Sequence, residues 1–423
     1  LYHPSGHQCK RGDAMTRRVV VTGMAGITAL GDDWPTISAR MYAGETGIRR
    51  MDDWDGRYDL RTRLAGPVEN FTLKGKLTRK QLRSMGRVAQ MSVAATDKAL
   101  EMAGLREDKQ TLQGGRLGIA YGSSFGSTPP VMGFTKLMET GDSNAITATS
   151  YIQMMSHTSA VNIGVLYGIC GRIIPTSTAC TSGSMGIGYA YEAIKYGMQD
   201  LMIAGGAEEL CPTMVAVFDT LFATSDNNDH PEITPRPYDA NRDGLVIGEG
   251  AGTLILEEYE HAKARGATIY GEIVGFASNS DGAHITQPQA DKMEIALRKS
   301  LEDAGLSPSD IDIVNGHGTA TDHGDLAESK ATRAVFERAI PIHTLKGHFG
   351  HTLGACGAIE AWLGLEMMRD GKFVPTANLK NPDPDCAELD YIKDTARSMS
   401  TQYMMSNNFA FGGINTSLIF TLP

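Results

Sequence analysis

The chain has 423 residues, 41% of them hydrophobic and 21% charged, with a formal net charge of −10. This balance fits an ordered globular protein with enough chain for one large core or two intimate halves. An acidic chain without a long basic block argues against nucleic acid as its main partner, and no apolar run approaches the roughly 18–20 residues that span a bilayer.

Residues 1–14, LYHPSGHQCKRGDA, lack the apolar core of a signal peptide. They read as an upstream extension before a natural start at Met15 and are set aside from the fold. Residues 18–22 (RVVVT) predict a buried strand. Met85, Val88, Met91, Ala95 and Leu100 recur at helical spacing, with Gly104 as the C-terminal stop. Further strands are predicted at 117–121, 201–204, 253–256, 272–274, 311–314 and 417–420, and helices at 293–304 and 358–369. The stretch 152–165 is richer in Met and Val than a solvated loop should be, which suggests a subunit contact. Alternation of strands and helices argues for an α/β fold with helix-covered sheets. It occurs both before and after about residue 260, yet the two parts show no self-similarity in sequence.

The six cysteines, Cys9, Cys170, Cys180, Cys211, Cys356 and Cys386, form no CxxC pair. They read as reduced thiols of a cytosolic protein. One of them stands apart. In Pro175-Thr-Ser-Thr-Ala-Cys180-Thr-Ser-Gly, a small-residue strand end runs into a Gly- and Ala-rich helix. That context predicts a thiol at a helix N-terminus, where the macrodipole lowers its pKa. The competing reading is a buried structural cysteine.

Three more glycine-marked stations follow. His317 lies between two glycines after a predicted strand, with Thr319 and Thr321 close by. His351 follows Gly350 and precedes another small-residue helical run. Phe409 and Phe411 precede Gly412 and Gly413, which reads as a glycine-hinged aromatic gate or as an ordinary turn. His317, His323, His348 and His351 could instead bind a metal, but they lack the compact spacing of such sites. Together the stations suit a thiolate that holds an acyl group and two histidines that stabilise an enolate. No GxxxxGK[ST] loop suggests nucleotide chemistry.

TACTSG around Cys180, GHGTAT around His317, GHTLGACGAIE through His351, NNFAFGGIN near the end and RPYDANRDGLVIGEGAG at 236–252 resemble the β-ketoacyl-acyl-carrier-protein synthases, in order and over essentially the whole chain. YIQMMSHT, GGAEELCPT, FDTLFATS and SNNFAFGGINTS look most similar to the ketosynthases of bacterial aryl polyene clusters, within the elongating, dissociated type II branch.

The resemblance implies a thiolase-like α/β fold of two duplicated halves in five layers. The N-terminal half, 15–262, would carry the nucleophile and the C-terminal half, 263–423, the histidines. It implies Cys180 as nucleophile and His317, His351 and Lys346 as its catalytic partners, supported by Glu360, Asp325 and Glu328. The N–H groups of Cys180 and Phe411 would form an oxyanion hole, gated by Phe409, Phe411, Gly412 and Gly413. Thr319, Thr321 and Thr286 would hold phosphopantetheine, and Phe125 and Phe218 would line the acyl pocket. Arg79, Lys80 and Arg83 would dock the acyl carrier protein. No metal or separate cofactor is implied. The functional unit would be a homodimer, or alternatively a heterodimer with a silent chain-length factor.

Two positions depart from the family pattern: Phe222 stands where an arginine is expected, and Phe125 where long-chain synthases carry a small or aliphatic residue. A degradative thiolase would need a second cysteine at the place of His351, and a chain-length factor would lack Cys180.

Overall fold

The computed structural model describes residues 16–423; Cys9 and Met15 lie outside the described residues. The first strand, β1 (Val19–Ile27), is buried along its whole length. Such a run marks a strand covered on both faces. Its glycines show by what. A side chain at Gly23 would strike the carbonyl of Ala99 on one face, and one at Gly26 would strike the Trp362 ring on the other. Two helices therefore press on opposite sides of one strand.

The first half continues with α1 (Arg87–Met102), β2 (Leu117–Gly122), α2 (Thr158–Tyr167), β3 (Ile173–Thr176), α3 (Ser182–Lys195), β4 (Leu201–Glu208) and β5 (Gly250–Glu258). The second comprises β6 (Gly271–Ser280), α4 (Ala290–Ala304), β7 (Ile313–Asn315), α5 (Asp322–Phe336), β8 (Pro341–His343), α6 (Cys356–Asp370), β9 (Tyr403–Ala410) and β10 (Ile414–Thr421). The succession is the same twice.

So is the pairing. The strands form one sheet of order β3-β2-β4-β5-β1-β6-β10-β9-β7-β8, closed at one edge by the two residues Asp390–Tyr391. Outward from the central antiparallel β1–β6 pair, each half runs antiparallel, antiparallel, parallel, parallel. The chain is thus a duplicated α/β unit related by an approximate two-fold axis near that pair.

The buried clusters define the layers. Met185 and Ile187 of α3 and Ile359, Trp362 and Leu365 of α6 pack with Val21 and Leu254 of the first half and Met404 and Leu418 of the second. α3 and α6 are therefore the middle layer. Val88, Met91 and Leu100 of α1 pack with Ile163 of α2 outside the first sheet half. Met293 and Leu297 of α4 pack with Ala331 and Val335 of α5 outside the second. The result is the five-layer thiolase-like arrangement.

Most predicted elements are present with shifted ends. Gly104, at φ +70°, follows α1 as expected. The strand predicted at 272–274 extends over the ten residues of β6, and the one predicted at 311–314 begins only at Ile313. The apolar stretch 152–165 falls on a short helix and on α2, where Val165 faces solvent close in sequence to the edge strand β3. Among the described residues, no helix is long and apolar enough to cross a membrane.

Candidate active site

Cys180 sits where β3 turns into α3. The turn is sharp: Ala179 takes φ +50°, a backbone region disfavoured for a residue with a Cβ. Hydroxyls hold it. Ser182 Oγ donates to the Ala179 carbonyl at 2.7 Å and accepts from the Thr178 N–H at 3.0 Å, while Thr181 Oγ1 donates to the Thr178 carbonyl at 2.7 Å. The Ser and Thr residues around the thiol are the locks of this elbow.

The thiol itself differs from expectation. Burial pushes the Cys180 pKa up to about 11, only partly offset by the charge of Lys346 and by the backbone N–H groups of Phe411 and Cys180 that face the sulfur. Desolvation of the anion is the largest influence on the thiol. The resting site holds a protonated thiol beneath two backbone donors.

His351 occupies the equivalent elbow of the second half, between β8 and α6, where Leu353 takes φ +48°. Its Nδ1 accepts the Leu353 N–H at 3.2 Å. The neutral ring therefore carries its proton on Nε2. The duplication brings the two elbows together over the abutting N-termini of α3 and α6, where a side chain at Gly183 would crowd Ala358.

His317 lies in the loop between β7 and α5, which is clamped by two buried acids of α5. Glu328 accepts from the N–H groups of His317 and Gly318 at 2.6 and 2.7 Å and from the Tyr238 hydroxyl at 2.8 Å. Asp325 accepts from the N–H groups of Thr319, Ala320 and Tyr238 at 2.9, 3.1 and 2.7 Å. Burial raises the Asp325 pKa to about 6 and that of Glu328 to about 7, against the pull of these donors.

The Cys180 sulfur and ring nitrogens of His317 and His351 lie within 4.8 Å of one another. The imidazoles meet edge to face, 5.1 Å between centroids at 88°. Burial, with the nearby charge of Lys346, holds both rings well below the usual histidine pKa, so they are neutral near pH 7. Three such donors are also what a zinc site needs. Here a buried cation already acts on all three, an environment that favours a developing oxyanion over a dication.

That cation, Lys346, pairs with Glu360 on α6 at 2.5 Å, and both side chains are buried. Burial disfavours the charged lysine, but the charge and hydrogen bond of Glu360, with Cys356 and Glu328, together outweigh it and keep the lysine pKa raised. Asn408 links this pair to the histidines: its amide nitrogen lies 2.7 Å from Glu360 Oε2 and 3.3 Å from His317 Nδ1.

Residues 16–262 match the family model of the beta-ketoacyl synthase N-terminal domain, and residues 270–380 that of its C-terminal domain. The chain belongs to the β-ketoacyl synthase family. It is 38% identical over 416 residues to a 3-oxoacyl-[acyl-carrier-protein] synthase 2 of Vibrio cholerae, covering 96% of this chain and 99% of that protein. The corresponding protein of Coxiella burnetii is 34% identical over 411 residues, with coverage of 96% and 98%. A crystal structure of a beta-ketoacyl synthase from Burkholderia phymatum superposes with a TM-score of 0.95 at 56% identity, covering 96% of this chain and 100% of that one. The ishigamide ketosynthase/chain length factor structure superposes at 0.88 with 30% identity, again over 96% and 100%. A type II polyketide synthase acyl-carrier protein in complex with its ketosynthase gives 0.84 at 30% identity, over the same shares. This chain is an acyltransferase of the Cys-His-His kind.

In this synthase a cavity of about 510 Å³ reaches Cys180, His317 and His351. Thr319, Thr321 and Thr286 line it, as do Phe218, Phe409, Phe411 and Gly413. The Phe411 ring stacks on Phe218 at 4.9 Å and 28°. Gly412 and Gly413, at φ +87° and +68°, form the turn between β9 and β10 that carries Phe411. Phe125 is not brought to this cavity: it stands beyond the end of β2, 41% exposed. Arg79 and Lys80 lie on the short helix Arg79–Leu82 and Arg83 just after it, all outside the cavity walls.

Sequence reasoning missed three supports. Glu208, fully buried at the end of β4, accepts from Ser123 Oγ at 2.8 Å and from the N–H groups of Ser124 and Gly354 at 2.7 and 3.1 Å, tying the His351 elbow to the first half. Asn408 and Tyr238 were also passed over. The acidic pair Glu208-Glu209 at the end of an apolar strand was a usable signal for the first. Cys356 has a more modest part, its thiol donating to the Cys180 carbonyl at 3.1 Å.

Proposed function

We propose that this enzyme elongates acyl chains carried on an acyl carrier protein by decarboxylative Claisen condensation with a malonyl thioester. The observation that carries the reading is that both histidines are neutral and turn Nδ1 toward protein groups, leaving Nε2–H of each for substrate.

In the first half-reaction Cys180 Sγ bonds to the acyl carbonyl carbon and the carbon–sulfur bond to the carrier's pantetheine breaks. The cysteine proton goes to the departing pantetheine thiol. The backbone N–H groups of Cys180 and Phe411 stabilise the intervening oxyanion. In the second, Nε2–H of His317 and of His351 donate to the malonyl thioester oxygen. The carboxylate leaves as carbon dioxide and its bonding pair becomes the enolate. The enolate carbon then bonds to the acyl carbon, the bond to Sγ breaks, and the thiolate takes up a proton from solvent. Lys346, held by Glu360, adds positive charge as the oxyanion develops.

In this reading Thr319, Thr321 and Thr286 line the pantetheine path. Phe409, Phe411, Gly412 and Gly413 form the gate, and Phe218 holds it shut by stacking. Arg79, Lys80 and Arg83 contribute to carrier docking. Phe125 would limit the acyl chain only after the Phe218–Phe411 stack opens. The natural chain is a fatty acid or, on the sequence motifs, an aryl polyene; the enzyme works in the cytoplasm with no cofactor beyond the carrier's own phosphopantetheine. The duplication divides the chain at about residue 262. The functional unit is a homodimer; the likeness to a ketosynthase/chain length factor structure favours, as a second reading, pairing with a silent subunit.

The test is carbon dioxide release from malonyl-carrier substrate by Cys180→Ala and by its combinations with His317→Ala or His351→Ala. Loss of either donor should slow release about 100- to 1,000-fold. Unchanged release would refute these roles.

A further inference from the structure

Phe222 projects into solvent, 74% exposed, from a backbone at φ +55°. A bulky side chain in that region is an outlier that the surrounding structure has to hold in place. The hold is visible. Buried Asp219 accepts the Arg61 N–H at 2.7 Å and the Thr224 hydroxyl at 2.6 Å, and its carbonyl accepts the Phe222 N–H at 3.0 Å. The Arg61 guanidinium stands 4.8 Å over the exposed ring and pairs with Asp226. This ring is presented on a fixed turn.

It is not isolated. Leu221 and Ile285 are also exposed and, with Phe222, line the mouth of the cavity that leads to Cys180. Val217, one turn earlier on the helix Pro212–Asp219, extends the apolar strip. Single exposed apolar side chains are ordinary, but a contiguous set on a rigid rim marks an interaction surface. The charges beside it do not form a basic patch: Asp322 and His323 are exposed on the same mouth, and Arg61 is paired.

We propose that Phe222, with Val217, Leu221 and Ile285, is an apolar docking ridge for the acyl carrier protein and sets which carriers this enzyme accepts. The proposal rests on the reading that substrates arrive on a carrier. A carrier whose pantetheine arm enters this mouth has to stand on its rim, and the rim offers it hydrocarbon. The matching carrier presents apolar side chains around its pantetheine-bearing serine. The ridge also shares an element with the gate, because Phe218 on the same helix stacks on Phe411.

Phe222→Gly removes the ring and suits the left-handed backbone, so the fold is retained; Phe222→Arg replaces hydrocarbon by charge. The full-length enzyme and both variants are assayed with an acyl-carrier-protein substrate and with the carrier-free N-acetylcysteamine thioester, at about 50 and 300 mM salt. Binding of holo acyl carrier protein is measured alongside by calorimetry, which needs no turnover. Loss of an interface anchor typically weakens binding tenfold or more. The ratio of KM for carrier-bound to carrier-free substrate should therefore rise about tenfold in Phe222→Gly, with holo-carrier affinity falling in parallel. The effect of Phe222→Gly on that ratio should be the same at both salt concentrations, since apolar contacts are not screened, whereas any share from Arg79, Lys80 and Arg83 weakens with salt in parent and variant alike. An unchanged ratio with unchanged carrier affinity overturns the proposal. So does a Phe222→Gly effect that disappears at 300 mM salt, or a Phe222→Gly protein whose altered property is its oligomeric state. Failure of the parent to use either thioester would instead refute the condensing function, and the calorimetry would still decide the ridge.

Discussion

The Leu353 N–H donates to Nδ1 of His351 at 3.2 Å, and that contact assigns the proton of the neutral ring to Nε2. Asn408 stands at 3.3 Å from Nδ1 of His317 and turns the second ring the same way. Two neutral N–H donors in a buried site are suited to an enolate oxygen, where charge appears as the reaction proceeds.

Burial, reinforced by Lys346, holds both histidines well below 6.5. Protonation at Nδ1 would break the contacts from Leu353 and Asn408 that orient the rings, and it should occur only as pH falls through those low values. The pH profile of malonyl decarboxylation by Cys180→Ala should therefore be level from about pH 6 to 8. An acid limb with its midpoint near the ordinary histidine value would contradict this.

A thiol with a pKa of about 11 reacts through a small thiolate fraction at neutral pH. Iodoacetamide labelling of Cys180, followed by peptide mass spectrometry at pH 7, 8 and 9, should accelerate about tenfold per pH unit. A rate that levels off above pH 7 would mean that the helix N-terminus stabilises a resting thiolate after all.

Lys346 and Glu360 form a buried pair whose halves are costly apart. Lys346→Met or Glu360→Leu alone should destabilise the protein by about 3–5 kcal/mol in urea unfolding, because each strands a buried charge. The double variant should lose clearly less than the sum. It should remain poor at condensation because the cation beside the histidines is gone. Additive destabilisation, or a double variant condensing at the parent rate, would contradict the account.

What could be read from sequence was local. Cys180, His317 and His351 announced themselves because sharp elbows need Gly, Ser and Thr beside the reactive group. Glu208 was marked only as half of an acidic pair at a strand end, and what it holds was not legible because its partner Gly354 lies 146 residues away. The duplication was silent: the elbows at Cys180 and His351 share a backbone path but almost no side chains. The raised thiol pKa was not legible, because the helix end is visible in sequence whereas the desolvation arises from packing of both halves.

If Cys180 carries the growing chain, intact-protein mass spectrometry after incubation with an acyl-carrier-protein substrate will find it there. The parent enzyme should gain the mass of one acyl group, mapped to the peptide containing Cys180, and lose it when malonyl-carrier is added, with a β-ketoacyl product formed. Cys180→Ala should gain nothing. An acyl group that persists in Cys180→Ala, or that maps to Cys356 or another residue, would contradict the account.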